Sequence, residues 1–191
     1  LVGLHLQQYL ISTGQLDSQE FNLLKRQIDE GHDLRNRKTY PGHATSSFML
    51  LSPDKTKILM IHHKGLNKWL CPGGHYEGDV PLRISALREL TEETGFPEDK
   101  VDWLRHEDFV ALDVDTHLIP ARPTRFEVEH YHHDFLYLGI AMEEVELKAQ
   151  EEEVFAVEWK SLDEAALLPD ERMKRVVAKV KKILDETSDV S

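Results

Sequence analysis

The chain has 191 residues, 40% of them hydrophobic and 30% charged, with a formal net charge of −12. That length can bury one good core and favours a single main domain with a small appendage. The acidic field and the lack of a basic face argue against a nucleic-acid partner, while the lack of an apolar run long enough to span a bilayer argues against a membrane one.

Residues 4–12 and 17–30 read as helices. Leu4, Leu6, Tyr9 and Leu10 precede a break at Ser12-Thr13-Gly14, and Asp17 and Glu20 have capping-box spacing ahead of Phe21, Leu24 and Ile28. This pair forms an N-terminal helical extension over residues 1–37, expected to pack on the core or to support a homodimer, and Arg35 to Pro41 reads as a polar linker. Position 1 is Leu, so the native start is expected upstream, and with no signal-peptide pattern the expected address is cytoplasmic.

Two β-rich runs follow, Thr45 to Leu51 and Lys57 to His63, joined as a hairpin by Ser52-Pro53-Asp54-Lys55. Trp69-Leu70 leads into Cys71-Pro72-Gly73-Gly74, where glycines let the backbone approach a ligand closely. Cys71 is the single cysteine, which excludes an intrachain disulfide and a cysteine-based zinc cluster. Nothing beside it in sequence activates a thiolate, so a buried structural role is expected.

A helix is predicted from about Pro81, a residue suited to a first helical position, to Gly95, with Asp79 close to the positive N-terminus. Leu82, Ala86, Leu87 and Leu90 supply its buried stripe and turn a glutamate face toward a cleft. Beyond it Phe109 to Val114, Tyr131 to Ile140 and Val154 to Trp159 read as strands. A last helix from about Asp170 to Leu184 carries Met173, Val176, Val177, Val180 and Leu184 on one stripe. Mixed strands with separated helices define an α+β class, arranged as an α/β/α sandwich with a mixed β-sheet behind the N-terminal helical pair. The residues divide into the extension (1–37), a main domain (38–168) and a C-terminal helix packing on it (169–191).

The glutamate face carries the chemistry. Glu89 and Glu93 are four residues apart on one helix face, with Cβ atoms about 6 Å apart, and Glu92 is three residues from Glu89. Three like charges repel and raise one another's pKa values unless a cation joins them, and hard oxygen ligands of this kind suit Mg²⁺ or Mn²⁺. A glutamate-rich helix face is usually solvated surface, but a Gly-Gly turn at a fixed distance ahead of it reverses that reading.

The segment Gly73 to Phe96 resembles the signature of the Nudix hydrolases, G-x5-E-x7-R-E-U-x-E-E-x-G-U, with U a bulky apolar residue. Gly74, Arg88, Glu89, Leu90, Glu92, Glu93, Gly95 and Phe96 occupy matching positions. Six of them demand one residue type, so a chance match is on the order of 10⁻⁷ per window at about 1 in 15 each. The resemblance covers roughly Lys38 to Leu168. It implies a metal-dependent hydrolase, with Mg²⁺ or Mn²⁺ held by Glu89, Glu92, Glu93 and the Gly73 carbonyl, that cleaves the diphosphate linkage of a nucleoside diphosphate joined to another moiety. Its partner is thus a small phosphorylated substrate.

Within that scheme Arg88 orients the acids, and Glu92 is the first choice of general base. Asp134 is the external alternative, with Glu129 and the Glu151-Glu152-Glu153 run behind it. Gly74, His75 and His132 are placed at the substrate. One position departs from the signature: Val80 stands where the first glutamate belongs. Asp79, Glu77 or an Arg88–Glu92 pair are the three ways to replace that orienting acid. Val80 is also the feature that favours an alternative, a Nudix-fold module that binds a nucleotide derivative without turnover. A third reading, an isoprenoid diphosphate isomerase, asks for a catalytic cysteine in a context different from that of Cys71 and ranks last.

Eleven histidines are many for this length. On a strand His130, His132 and Asp134 share one face, with Tyr131, His133 and Phe135 on the other. The face is read first as substrate phosphate contact, proton transfer or polar strand positions, and second as a transition-metal site.

Overall fold

Val2, Leu6, Tyr9 and Leu10 recur on one face of the first helix, α1 (Val2–Thr13), and bury it. The computed structural model describes residues 2–76, 80–104, 110–123 and 126–188. A 3-10 turn at Gln19–Phe21 leads into α2 (Asn22–Asp29), and its cap is Ser18, whose hydroxyl accepts from the Glu20 N–H at 3.3 Å. The Asp17–Glu20 capping box is not formed: the short Ser18 side chain reaches the amide two residues on and closes a tighter turn instead.

The sheet is built on β1 (Gly42–Leu51), which is buried along its whole length. It lies parallel to β7 (His130–Ala141) and antiparallel to β2 (Lys57–His63), with β3 (Lys68–Leu70) outside β2. The short β4 (Gly73–His75) also pairs with β1, and β8 (Val154–Ser161) with β2. On the far side β7 pairs with β5 (Val101–Trp103) and β6 (Asp113–Ile119). The strand expected over Phe109 to Val114 therefore begins later and runs on through Asp115, Thr116 and His117. Polar side chains there obscured a strand whose register follows β7. Residues 105–109 lie outside the described residues.

Period-two alternation divides β1 between two cores. Phe48 and Leu50 face a cluster with Phe135 and Tyr137, covered by α1, α2 and α3 (Leu82–Thr94). Met49 and Leu51 face the opposite cluster, with Ile58, Met60 and Leu138 under α4 (Leu162–Ala166) and α5 (Glu171–Ser188). The result is the expected α/β/α sandwich with a mixed sheet and an N-terminal helix pair. That pair is tied in by polar bonds as well: Gln27 donates to the Gly42 carbonyl at 2.9 Å and meets His133 at 2.9 Å, and His5 meets the Tyr137 hydroxyl at 3.1 Å. Among the described residues no helix is long and apolar enough to cross a membrane.

The helix α3 starts after Pro81, which is its N-cap with ψ 146° and not its first helical residue, and stops at Gly95 in the left-handed region (φ 71°). Gly95 closes the helix by donating to the Thr91 carbonyl, a conformation glycine adopts without a Cβ penalty. All four stripe positions, Leu82, Ala86, Leu87 and Leu90, are buried.

Candidate active site

With its apolar stripe fixed in the core, α3 places the three glutamates in graded environments. Glu92 keeps 53% of its side chain exposed, Glu89 keeps 15%, and Glu93 is buried. Arg88 binds Glu89 at 2.9 Å and lies 3.8 Å from Glu92, so the cation bridges two of the acids as an orienting group would. Glu93 accepts the Gly73 N–H at 2.9 Å, which fastens the helix to β4. Burial pushes the Glu93 carboxyl up to about 8 against the pull of that N–H, and the charges of Glu89, Glu153 and Glu92 add to the rise.

Gly74 answers the same geometry. A Cβ built there would lie 2.6 Å from a Glu89 carboxylate oxygen, so a side chain at this position fits only if the Glu89 carboxylate moves aside. Carboxylates crowded around a glycine backbone, one of them held mostly protonated at neutral pH, form a hard-oxygen donor set of the kind that suits a divalent cation. At the departed signature position Val80 is 40% exposed, and its carbonyl accepts the Tyr76 hydroxyl at 2.6 Å. Of the three expected replacements, the Arg88–Glu92 contact is present, while Glu77 and Asp79 lie outside the described residues.

Asp134 requires correction as an external base. Its carboxylate is buried and accepts Thr45 at 2.8 Å, Ser47 at 2.5 Å and Arg172 at 2.7 Å. Three donors, one of them a guanidinium, already hold this buried carboxylate, which makes it a poor acceptor for the proton of an attacking water. It is instead part of a clamp from α5, whose Arg172, Arg175 and Lys179 occupy one helix face. All three reach Asp113, at 3.0, 2.9 and 2.6 Å. Burial disfavours the Asp113 anion, but Arg175, Arg172 and Lys179 outweigh it and hold its pKa below the usual range. Of the other external acids considered, Glu153 is the one whose charge reaches Glu93, and the Gln150 N–H that precedes it bonds the Glu93 carbonyl at 3.2 Å.

The histidines collect on the α5 side of the sheet. His43 pairs in register with His132, and His75 with Thr45. The His43 ring lies 4.9 Å from those of His130 and His132 and 5.2 Å from His75, and His117 lies 5.7 Å from His132. Burial first, and then the neighbouring histidines, lower His43 to about 4 and His132 to about 2. Asp134 shares this face, as expected, but its partners are Thr45, Ser47 and Arg172. Cys71 is half-buried, and burial raises its thiol to about 12, in keeping with a structural role.

Sequence reasoning missed His43, His117, Asp113 and the α5 cations. The alternation His43-Ala44-Thr45-Ser46-Ser47 was a usable sign for one of them, since a buried strand that alternates polar residues exposes that face to something polar. No local pattern signalled that Arg172, Arg175 and Lys179 meet Asp113.

Comparison with known proteins agrees with this architecture. The NUDIX domain family profile matches residues 42–180. The chain therefore belongs to the Nudix hydrolase family. A probable DHNTP pyrophosphohydrolase of Lactococcus lactis subsp. cremoris is 32% identical over 127 residues, covering 66% of this chain and 70% of the relative. The human m7GpppN-mRNA hydrolase NUDT17 is 33% identical over 130 residues, covering 62% of this chain but 38% of its own length. Among solved structures, a C. elegans Ap4A hydrolase binary complex superposes with a TM-score of 0.60 at 16% identity, covering 75% of this chain and 98% of that one. The NUDIX domain of Shewanella oneidensis NrtR with ADP ribose gives 0.54 at 18% identity, covering 84% and 98%. These two likenesses concern the fold.

Proposed function

We propose that the chain is a metal-dependent hydrolase of the diphosphate linkage in a nucleoside diphosphate joined to another moiety. The observation that carries this reading is the buried Glu93, fastened to Gly73 and raised to about 8 among Glu89, Glu92 and Glu153. Burying a carboxyl among like charges lowers stability, and a bound cation removes that penalty. Mg²⁺ or Mn²⁺ held by Glu89, Glu92, Glu93 and the Gly73 carbonyl would neutralise charge developing on the phosphate oxygens and make a bound water more acidic.

The chain's own groups supply the rest. Arg88 fixes the Glu89 carboxylate, Gly74 lets the backbone lie against it, and the exposed Glu92 is free to accept the proton of the attacking water. Glu153 replaces Asp134 as the acid outside the helix. His75 and His132, expected at the substrate, have their rings 5.3 Å apart across β4 from the glutamates, so they are not assigned to the phosphates held there. Among the described residues of the N-terminal segment, Leu4, Ile11 and Leu16 are the large apolar side chains left exposed for a homodimer, because the buried stripe of α1 already packs on its own sheet.

The test is a panel of phosphoanhydrides incubated with the protein and Mg²⁺: dihydroneopterin triphosphate, a dinucleoside tetraphosphate, ADP ribose and a capped dinucleotide, with products identified by chromatography. Cleavage of an internal phosphoanhydride of one or more members is the expected result. The Val80 departure favours a second reading, a module that binds such a nucleotide without turnover. Tight binding with no product across the panel would establish it in place of the first.

A further inference from the structure

A second cluster of ligand-type side chains lies across β4 from the glutamates. Gly74 faces Glu89, and its neighbour His75 points to the opposite side of the strand, where its ring sits 5.2 Å from that of His43. There one nitrogen each from His43, His130 and His132 lie within 4.8 Å of one another.

The tightest pair, His130 Nε2 and His132 Nε2, is 3.2 Å apart. Two imidazole nitrogens bound to one tetrahedral zinc at about 2.0–2.1 Å sit about 3.3 Å apart, so this pair already has the spacing of adjacent ligands. His130 Nδ1 lies 2.8 Å from the Val128 carbonyl, an acceptor only. The Nδ1 proton is thereby fixed, and the Nε2 lone pair faces into the cluster, as metal-ligating histidines are commonly oriented. His43 adds the independent sign: it is 2% exposed, and neither ring nitrogen has a hydrogen-bond partner. A buried polar group without a partner costs about 1–3 kcal/mol, which a coordinated ion would recover.

We propose that His43, His130 and His132 form a transition-metal site, suited to Zn²⁺, Co²⁺, Ni²⁺ or Cu²⁺, chemically separate from the hard-oxygen site on α3. Imidazole selects this class of ion over Mg²⁺, and three neutral histidines leave a fourth position for water or a substrate atom. Burial and mutual proximity keep His43 and His132 uncharged near neutral pH, so their lone pairs are available. A bound ion ties the start of β1 to β7, next to the strand that carries the glycine turn. His117, whose Nδ1 lies 2.8 Å from Asp115, flanks the trio on β6.

The experiment uses the full chain stripped with chelator and titrated with Co²⁺, monitoring the visible d–d bands, followed by X-ray absorption of the Zn²⁺ form. One equivalent of Co²⁺ giving the intense spectrum of a tetrahedral site, undiminished by a large excess of Mg²⁺, is expected. His132→Asn should weaken binding at least about tenfold while circular dichroism remains native. Glu93→Gln should leave the cobalt spectrum unchanged. If His132→Asn fails to fold, the absorption edge of the wild-type protein decides: three imidazoles support the site, and two or fewer overturn it. A weak octahedral spectrum, displacement by Mg²⁺ or loss of the bands in Glu93→Gln would also overturn it.

Discussion

Replacing Glu93 by glutamine separates the electrostatics of this position from its packing. The side chains have the same shape, and the native glutamate is buried with its carboxyl raised from 4.5 to about 8. In metal-free protein the folded state therefore holds a proton that the unfolded chain releases near 4.5, so wild-type stability falls as pH rises from about 4.5 to about 8 and is flat above. At 1.36 kcal/mol per pH unit, the interval from pH 6 to 9 contributes a loss of about 2 to 3 kcal/mol that glutamine cannot show. Urea unfolding in EDTA at pH 6, 7.5 and 9 should find the variant at least as stable as wild type, with a gap that widens by that amount. Turnover with Mg²⁺ should drop on the order of a hundredfold or more, because a charged ligand is lost without disturbing the fold. A gap independent of pH, or turnover within about threefold of wild type, would refute the reasoning.

Four other changes test the remaining assignments. Asp134→Asn should lower stability by about 2 to 4 kcal/mol through the broken Arg172 pair, yet leave the pH profile of turnover in place; a displaced profile would restore Asp134 as a base. Asp113→Ala leaves three partly exposed cations without their buried anion and should cost about 2 to 4 kcal/mol at pH 7. Asp113 and Asp115 are both lowered, Asp115 to about 2 through His117, Arg172 and Arg175 despite burial, so they stabilise the fold above about pH 4 and the contribution fades toward pH 2. Acid titration followed by circular dichroism should thus show a shallower slope for Asp113→Ala than for wild type. Gly74→Ala should displace the Glu89 carboxylate and reduce kcat more than it raises KM, whereas an unchanged kcat would mean that the close approach is not used. Glu153→Gln should reduce turnover between about tenfold and a thousandfold if it completes the acidic site, and a smaller effect would leave Glu92 acting without it.

Fold elements were legible where local pattern and tertiary role coincide. In α3 the apolar period, the proline start and the glycine stop all describe the same helix, so its bounds and its buried stripe could be read directly. In β6 they diverge: Asp113, Asp115 and His117 face a polar cluster between the sheet and α5, and a strand that carries charges on its inward face has no hydrophobic alternation to display. The short strands β3, β4 and β5 are three residues each, below the length at which periodicity carries information.

The site divides along the same line. Glu89, Glu92 and Glu93 are neighbours in sequence because one helix presents them, and a linear motif captured their grouping. Their differences were not visible in the motif: Glu92 is open to solvent while Glu93 is sealed against Gly73, a contrast set by which side of α3 meets β4. Asp134 illustrates the opposite error. Its neighbours His130 and His132 suggested a catalytic face, but its chemistry is decided by Arg172, 38 residues away, and by Ser47, 87 residues away. A carboxylate can act as a base only if nothing stronger already holds it, and the groups that hold this one arrive from elements the strand itself does not specify. The same long-range pairing brings His43 to His132, so each surface of this sheet acquires its chemistry from register: oxygen ligands where α3 meets β4, imidazoles where β1 runs beside β7.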